Sequence, residues 1–126
     1  ILAKELKADV EFMGILSGDE LIKLYQKSKL YILNSSFELT SYSLIEAQLC
    51  GIFSISNANT GSADVILNNK TGILINGTNS ELLQGAIKDY LNKFEKYASS
   101  QEISNYTKNK FDQRLTYELL YKSTVI

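Results

Sequence analysis

Two short apolar runs with a helical segment between them set the strongest limit on how this chain folds. "LYILN", residues 30–34, is apolar almost throughout, and "IFSIS", residues 52–56, is rich in β-forming side chains. A strand without polar alternation is of the kind buried on both faces of a parallel sheet. Parallel neighbours need a crossover, usually a helix. The segment "SYSLIEAQLC" supplies one, stopped by Gly51 at a C′ position.

The alternation continues in both directions. "LAKELK" reads as the tail of a helix, and "VEFMGIL" as a strand ending near Gly14. Ser17 and Glu20 have the spacing of a capping box at the start of "SGDELIKLYQKSK", where Leu21, Leu24 and Tyr25 recur at helical spacing. After "IFSIS" come the polar loop "NANTG", a short helix "SADVILNN", the turn "KTG" and a strand "ILIN". Asn79 or Ser80 caps the long helix "ELLQGAIKDYLNKFEKY", with Leu82, Leu83, Ala86, Ile87, Tyr90, Leu91 and Phe94 on one face. A polar connector then leads to Asp112, the cap of a closing helix "QRLTYELLYKST". Strands alternating with helices predict an α/β fold, a doubly wound Rossmann-like parallel sheet. Right-handed crossovers gather every βα loop on one edge, and ligands of such sheets bind there.

The bulk numbers narrow the function. A chain of 126 residues is enough for one domain. Its net charge of −1 and lack of a basic stripe argue against nucleic acid as a partner. Apolar runs fall well short of the roughly 18 residues of a membrane span. The absence of histidine excludes Ser-His and Cys-His catalysis and His-type metal sites within the chain. The single cysteine, Cys50, fits a reducing cytoplasm and reads as a small buried packing residue. The tyrosines Tyr25, Tyr90, Tyr117 and Tyr121 sit at core spacing and read as structural. Sequons at Asn34, Asn69, Asn76 and Asn105 are what a chain rich in Asn, Ser and Thr makes by chance. A start at "ILAKELKADV", without an initiator methionine, reads as part of a longer protein.

The candidate site is the loop and helix start "ELTSYSLIE", residues 38–46. Thr40 or Ser41 is the expected N-cap, which leaves the next amides pointing out of the helix start. Those amides and the positive end of the helix dipole suit a phosphate. Thr40 and Ser43 add uncharged donors. Glu46 lies about a turn into the helix, away from Ile45 and Leu49, which are expected to face the sheet. Its carboxylate can accept two hydrogen bonds from a vicinal diol such as a ribose. Glu38 precedes the helix and reaches the far end of a ligand lying across the cap. The ordinary alternatives are that the hydroxyls only cap the helix and that Glu46 is a solvated surface residue.

The segment "YILNSSFELTSYSLIEAQLCGIFSISNANTGSADVI" resembles the core of the family 4 (group 1) retaining glycosyltransferases of the GT-B fold, which carry an E-x7-E motif after a buried strand. Upstream "VEFMGILSGDELIKLYQKSKLYIL" and downstream "TGSADVILNNKTGILI" are similar to flanking stretches of that family, with Asp64 in place of a usual glutamate. The resemblance implies that residues 1–126 are a partial donor-binding domain, the C-terminal domain of a GT-B enzyme without its first two strands. It implies Glu46 on the ribose, Glu38 as the catalytic residue near the reacting carbon, and Thr40, Ser41, Tyr42 and Ser43 on phosphates or sugar, with Gly14 near the base. It implies a UDP- or GDP-sugar as donor, no metal and no other cofactor. The acceptor would be a glycan or lipid-linked molecule held by an N-terminal domain, in surface polysaccharide or glycoconjugate synthesis. The location implied is cytoplasmic or at the inner face of the membrane, with peripheral membrane contact by the parent protein left open. Where the family often has E-G-F-G, this chain has Glu38-Leu39-Thr40-Ser41. The expected strand order 3-2-1-4-5-6 makes "VEFM" strand 3 without its neighbours. Either the chain is a fragment, or "VEFM" pairs elsewhere, for instance across a homodimer. The other readings are a non-catalytic α/β interaction module and a nucleotide-sugar epimerase of the same fold. A phosphorelay receiver lacks support, because the strands end in Asn34, Ser56 and Asn76 rather than an acidic cluster.

Overall fold

Three parallel strands, β1 (Leu30–Leu33), β2 (Phe53–Asn57) and β3 (Gly72–Ile75), lie in the order β1-β2-β3. The computed structural model describes residues 2–39 and 41–112. Leu30 pairs with Phe53, and Ser54 with Gly72. Among the described residues β1 is an edge strand, and Ile32 is 40% exposed. The two-faced burial expected of "LYILN" belongs to β2 instead, every residue of which is buried. Position in the sheet, not apolar content, decides this. β2 tolerates buried Ser54 and Ser56 because their hydroxyls are satisfied locally. Ser54 donates to the Ile52 carbonyl at 3.1 Å, and Ser56 Oγ lies 3.0 Å from the Leu33 carbonyl and 2.7 Å from Ser62 Oγ. Left unpaired, each would cost about 1–3 kcal/mol.

The helices are α1 (Leu2–Glu5), α2 (Gly18–Lys27), α3 (Tyr42–Leu49), α4 (Ser80–Lys93) and α5 (Ser100–Phe111). Asn79 caps α4 by accepting the Leu82 amide at 2.8 Å. Leu83, Ala86, Ile87 and Tyr90 of α4 pack with Phe53, Ile55, Ile73 and Ile75. On the other face Leu44 of α3, with Val65 and Ile66, packs against Tyr31, Leu33 and Leu74. Helices on both faces of a parallel sheet make the doubly wound arrangement.

Several expectations are corrected. "VEFM" is not a strand; residues 8–16 are irregular, and Phe12 is 85% exposed. A strand needs a neighbour to take its backbone bonds, and no described strand lies beside this one. "SADVILNN" forms only the 3-10 turn Gly61–Asp64, capped by Thr60, with Val65 and Ile66 buried behind it. The long helix ends at Lys93, and of its expected apolar face Leu82, Leu91 and Phe94 are exposed. The polar connector is α5, opened by a capping box between Ser99 and Glu102. Ser17 sits at the cap position of α2 but makes no side-chain cap bond. The closing helix, with Tyr117 and Tyr121, lies outside the described residues.

Candidate functional site

The loops at the carboxyl ends of the three strands are tied together by hydrogen bonds to backbone carbonyls. The Asn34 side-chain amide donates to the Thr78 carbonyl at 3.3 Å, and that of Asn57 to the Ser35 carbonyl at 3.3 Å. The Gly61 amide donates to the Glu38 carbonyl at 2.7 Å. This last contact is very close: a Cβ on Gly61 would stand 1.6 Å from the Leu39 carbonyl oxygen. Only glycine lets the turn after β2 lie against the loop that carries Glu38.

α3 begins at Ser41, whose hydroxyl accepts the Leu44 amide at 3.2 Å. Its backbone is extended, as a cap requires. Ser43 Oγ lies 2.7 Å from the Tyr31 hydroxyl and 3.0 Å from Ser41 Oγ. The two serine hydroxyls therefore belong to an internal chain that begins on β1 and ends at the cap. Among the described residues the Tyr42 and Ser43 amides have no hydrogen-bond partner. The Tyr42 side chain is exposed, as are Phe37 and Leu39 beside Glu38. Thr40 lies outside the described residues.

The buried side of α3 is Leu44, Ala47 and Gln48. Ile45 packs at the border of that face, whereas Leu49 is exposed and lines a groove with α2. The groove encloses about 340 Å³ between Gly18, Leu21, Ile22 and Tyr25 on one side and Glu46, Leu49 and Cys50 on the other. Cys50 is exposed, contrary to its reading as a buried packing residue, because it follows the last turn of α3 at the groove rim. Glu46 is exposed there, and the Tyr25 hydroxyl lies 3.4 Å from its Oε2 and 3.3 Å from the Ser43 carbonyl. Burial pushes the Tyr25 phenol up to about 12, with Tyr31 and then Glu46 adding to the rise.

The structure thus brings Ser41, Tyr42, Ser43 and Glu46 together on one short helix. Glu38 is partly buried in the preceding loop and does not line the groove. Gly14 has positive φ and lies in the irregular segment, where an added Cβ would meet nothing within 4 Å. A larger cavity, about 610 Å³, lies at the opposite end of the sheet, between Lys29, Phe53, Tyr90 and Tyr97. Gly61 and the Tyr25 and Tyr31 hydroxyls are the participants that pattern reading passes over. A glycine in a polar loop and tyrosines at core spacing carry no local mark of these contacts.

A family profile described as "Glycosyl transferases group 1" matches residues 1–110. The chain belongs to that family. A probable sucrose-phosphate synthase of Thermosipho melanesiensis is 31% identical to it over 113 residues, covering 85% of this chain and 26% of the relative. The solved sucrose-phosphate synthase from Thermosynechococcus elongatus superposes with a TM-score of 0.73 at 19% identity, over 98% of this chain and 33% of that one. The likeness to the solved protein establishes the fold as that of a GT-B glycosyltransferase. This group 1 chain therefore spans about a quarter to a third of the proteins it resembles. Among the described residues no helix is long and apolar enough to cross a membrane.

Proposed function

We propose that the chain is the donor-binding part of a retaining glycosyltransferase that takes a nucleoside diphosphate sugar such as a UDP- or GDP-sugar. The observation that carries this reading is the placement of Glu46 on the rim of the α2–α3 groove, on the same short helix as the Tyr42 and Ser43 amides. Glu46 accepts the two ribose hydroxyls. The base enters the groove between Leu21, Ile22 and Leu49. The diphosphate lies against the amides at the start of α3, where the helix dipole and donors without a partner among the described residues favour an anion. Those same donors stabilise the charge that grows on the leaving diphosphate as the glycosidic carbon is attacked. Glu38 faces the sugar from the loop held by Gly61. No metal is assigned a part.

For the acceptor, family resemblance alone supports a lipid-linked or surface glycan, handled in the cytoplasm or at the inner membrane face. Both relatives carry the name sucrose-phosphate synthase, which favours a small soluble acceptor and a phosphorylated disaccharide as product. We take the second as the acceptor class. The test is calorimetric titration of the intact protein with UDP and GDP. One of them should bind, and Glu46→Ala should weaken it by about tenfold to a hundredfold, the worth of hydrogen bonds to a charged group. An intact protein that binds no nucleotide would instead be an interaction module.

A further inference from the structure

Resting on the donor-site reading, we infer that Tyr25 is a positioning residue for Glu46. Its half-buried hydroxyl, 3.4 Å from Oε2, steers one carboxylate oxygen and leaves the other presented to a vicinal diol. Glu46 is exposed, and a free glutamate spreads over many rotamers that a ligand must collapse. Tyr25 is only 8% exposed, packed with Ala47 and Ile52, and its ring lies 6.3 Å from that of Tyr31. A buried phenol seeks an acceptor. The acceptors within reach of this one, the Glu46 Oε2 and the Ser43 carbonyl, are both on α3.

Phenylalanine would fill the same apolar cluster, so packing alone does not call for a hydroxyl here. The two neighbouring tyrosines divide the work. Tyr31 bonds Ser43 Oγ at 2.7 Å and so steadies the helix start, whereas the Tyr25 hydroxyl reaches the carboxylate. With its phenol pushed up to about 12, Tyr25 keeps its proton throughout the neutral range. The one Tyr25 proton is shared between the Ser43 carbonyl at 3.3 Å and Glu46 Oε2 at 3.4 Å, so it biases the carboxylate toward one orientation rather than locking it. The carboxylate is thereby partly oriented before any ligand arrives, which lowers the ordering cost of binding.

The test compares ribose and ribose-lacking-diol ligands on the intact protein. UDP and GDP are titrated beside their 2′,3′-dideoxy counterparts. Tyr25→Phe should weaken the ribonucleotide by about threefold to tenfold, the share of one hydrogen bond. It should leave the dideoxy form unchanged, and it should have no further effect in a Glu46→Ala background. A purely structural tyrosine would weaken both forms alike, and that result, or no weakening at all, overturns the inference while the donor site stands. If the wild-type protein binds neither form, or both equally well, the ribose role of Glu46 fails first and takes the inference with it. Tyr25→Met, also without a hydroxyl, repeats the comparison should the phenylalanine variant not fold.

Discussion

Asp89 offers a residue whose environment acts on stability rather than on the ligand. Its carboxyl is held below the ordinary carboxylate range, first by its bond to Lys93, then by the Tyr97 hydroxyl, against a smaller opposing effect of burial. A folded-state value depressed below the unfolded one contributes stability above about pH 3.9, and that contribution fades as pH falls through the folded value. Asp89→Asn should therefore lower the melting temperature near neutrality, with the gap to wild type closing in acid. A gap that stays constant from pH 6 to pH 3 would rule out the carboxylate as its source. The same scale shows why some site residues were legible and others were not. Ser41 could be read as a cap because it directly precedes a helical pattern, and the structure gives it the cap bond. Tyr25 could not be linked to Glu46, because its helical spacing is also that of a core residue and the contact spans 21 positions.

Among elements, the turn after β2 governs the loop after β1. Gly61→Ala would drive a methyl group to 1.6 Å from the Leu39 carbonyl oxygen, so one of the two segments must move. The expected loss is about 1–3 kcal/mol, as for overpacking elsewhere. Denaturant unfolding should show it as a lower midpoint at unchanged slope, and an unaltered midpoint would mean that the loop gives way freely. The elements read well from sequence were those with both a period and a stop signal, such as α4 behind Asn79 and α3 before Gly51. Those misread lacked one or the other. "VEFM" had strand composition without a partner strand, and α5 hid in a polar stretch whose apolar anchors are as sparse as Ile103 and Phe111. Tertiary contact, not propensity, decided each of them.

For the whole molecule, the sheet has one protected and one open edge among the described residues. Beside β3 the Leu74 amide donates to the Asn68 side chain, and Asn68 bridges to Gly72. β1 carries no charge and has no such blunting. An apolar edge of that kind is a template for pairing with another chain. Ile32→Lys should reduce concentration-dependent association of the chain, measured by light scattering, without changing its circular dichroism. Association that persists unchanged would place the sticky surface elsewhere. The alternation of strands and helices made the parallel architecture readable from sequence, and the expected strand order already set "IFSIS" between its two neighbours, but apolar content pointed to "LYILN" as the fully buried strand. Burial depends on pairing between strands distant in sequence, which apolar content does not encode.

The abutment of Leu39 and Gly61 has a consequence for how such a chain can vary. With two backbones in direct touch, an insertion in either turn would be transmitted at once to its neighbour, and so to Glu38. Length changes should then be tolerated in the irregular stretch 8–16, whose Gly14 has open space around it, and be rejected between Asn57 and Ser62. A library of single-residue insertions, sorted for correctly folded protein, would display that contrast as a map.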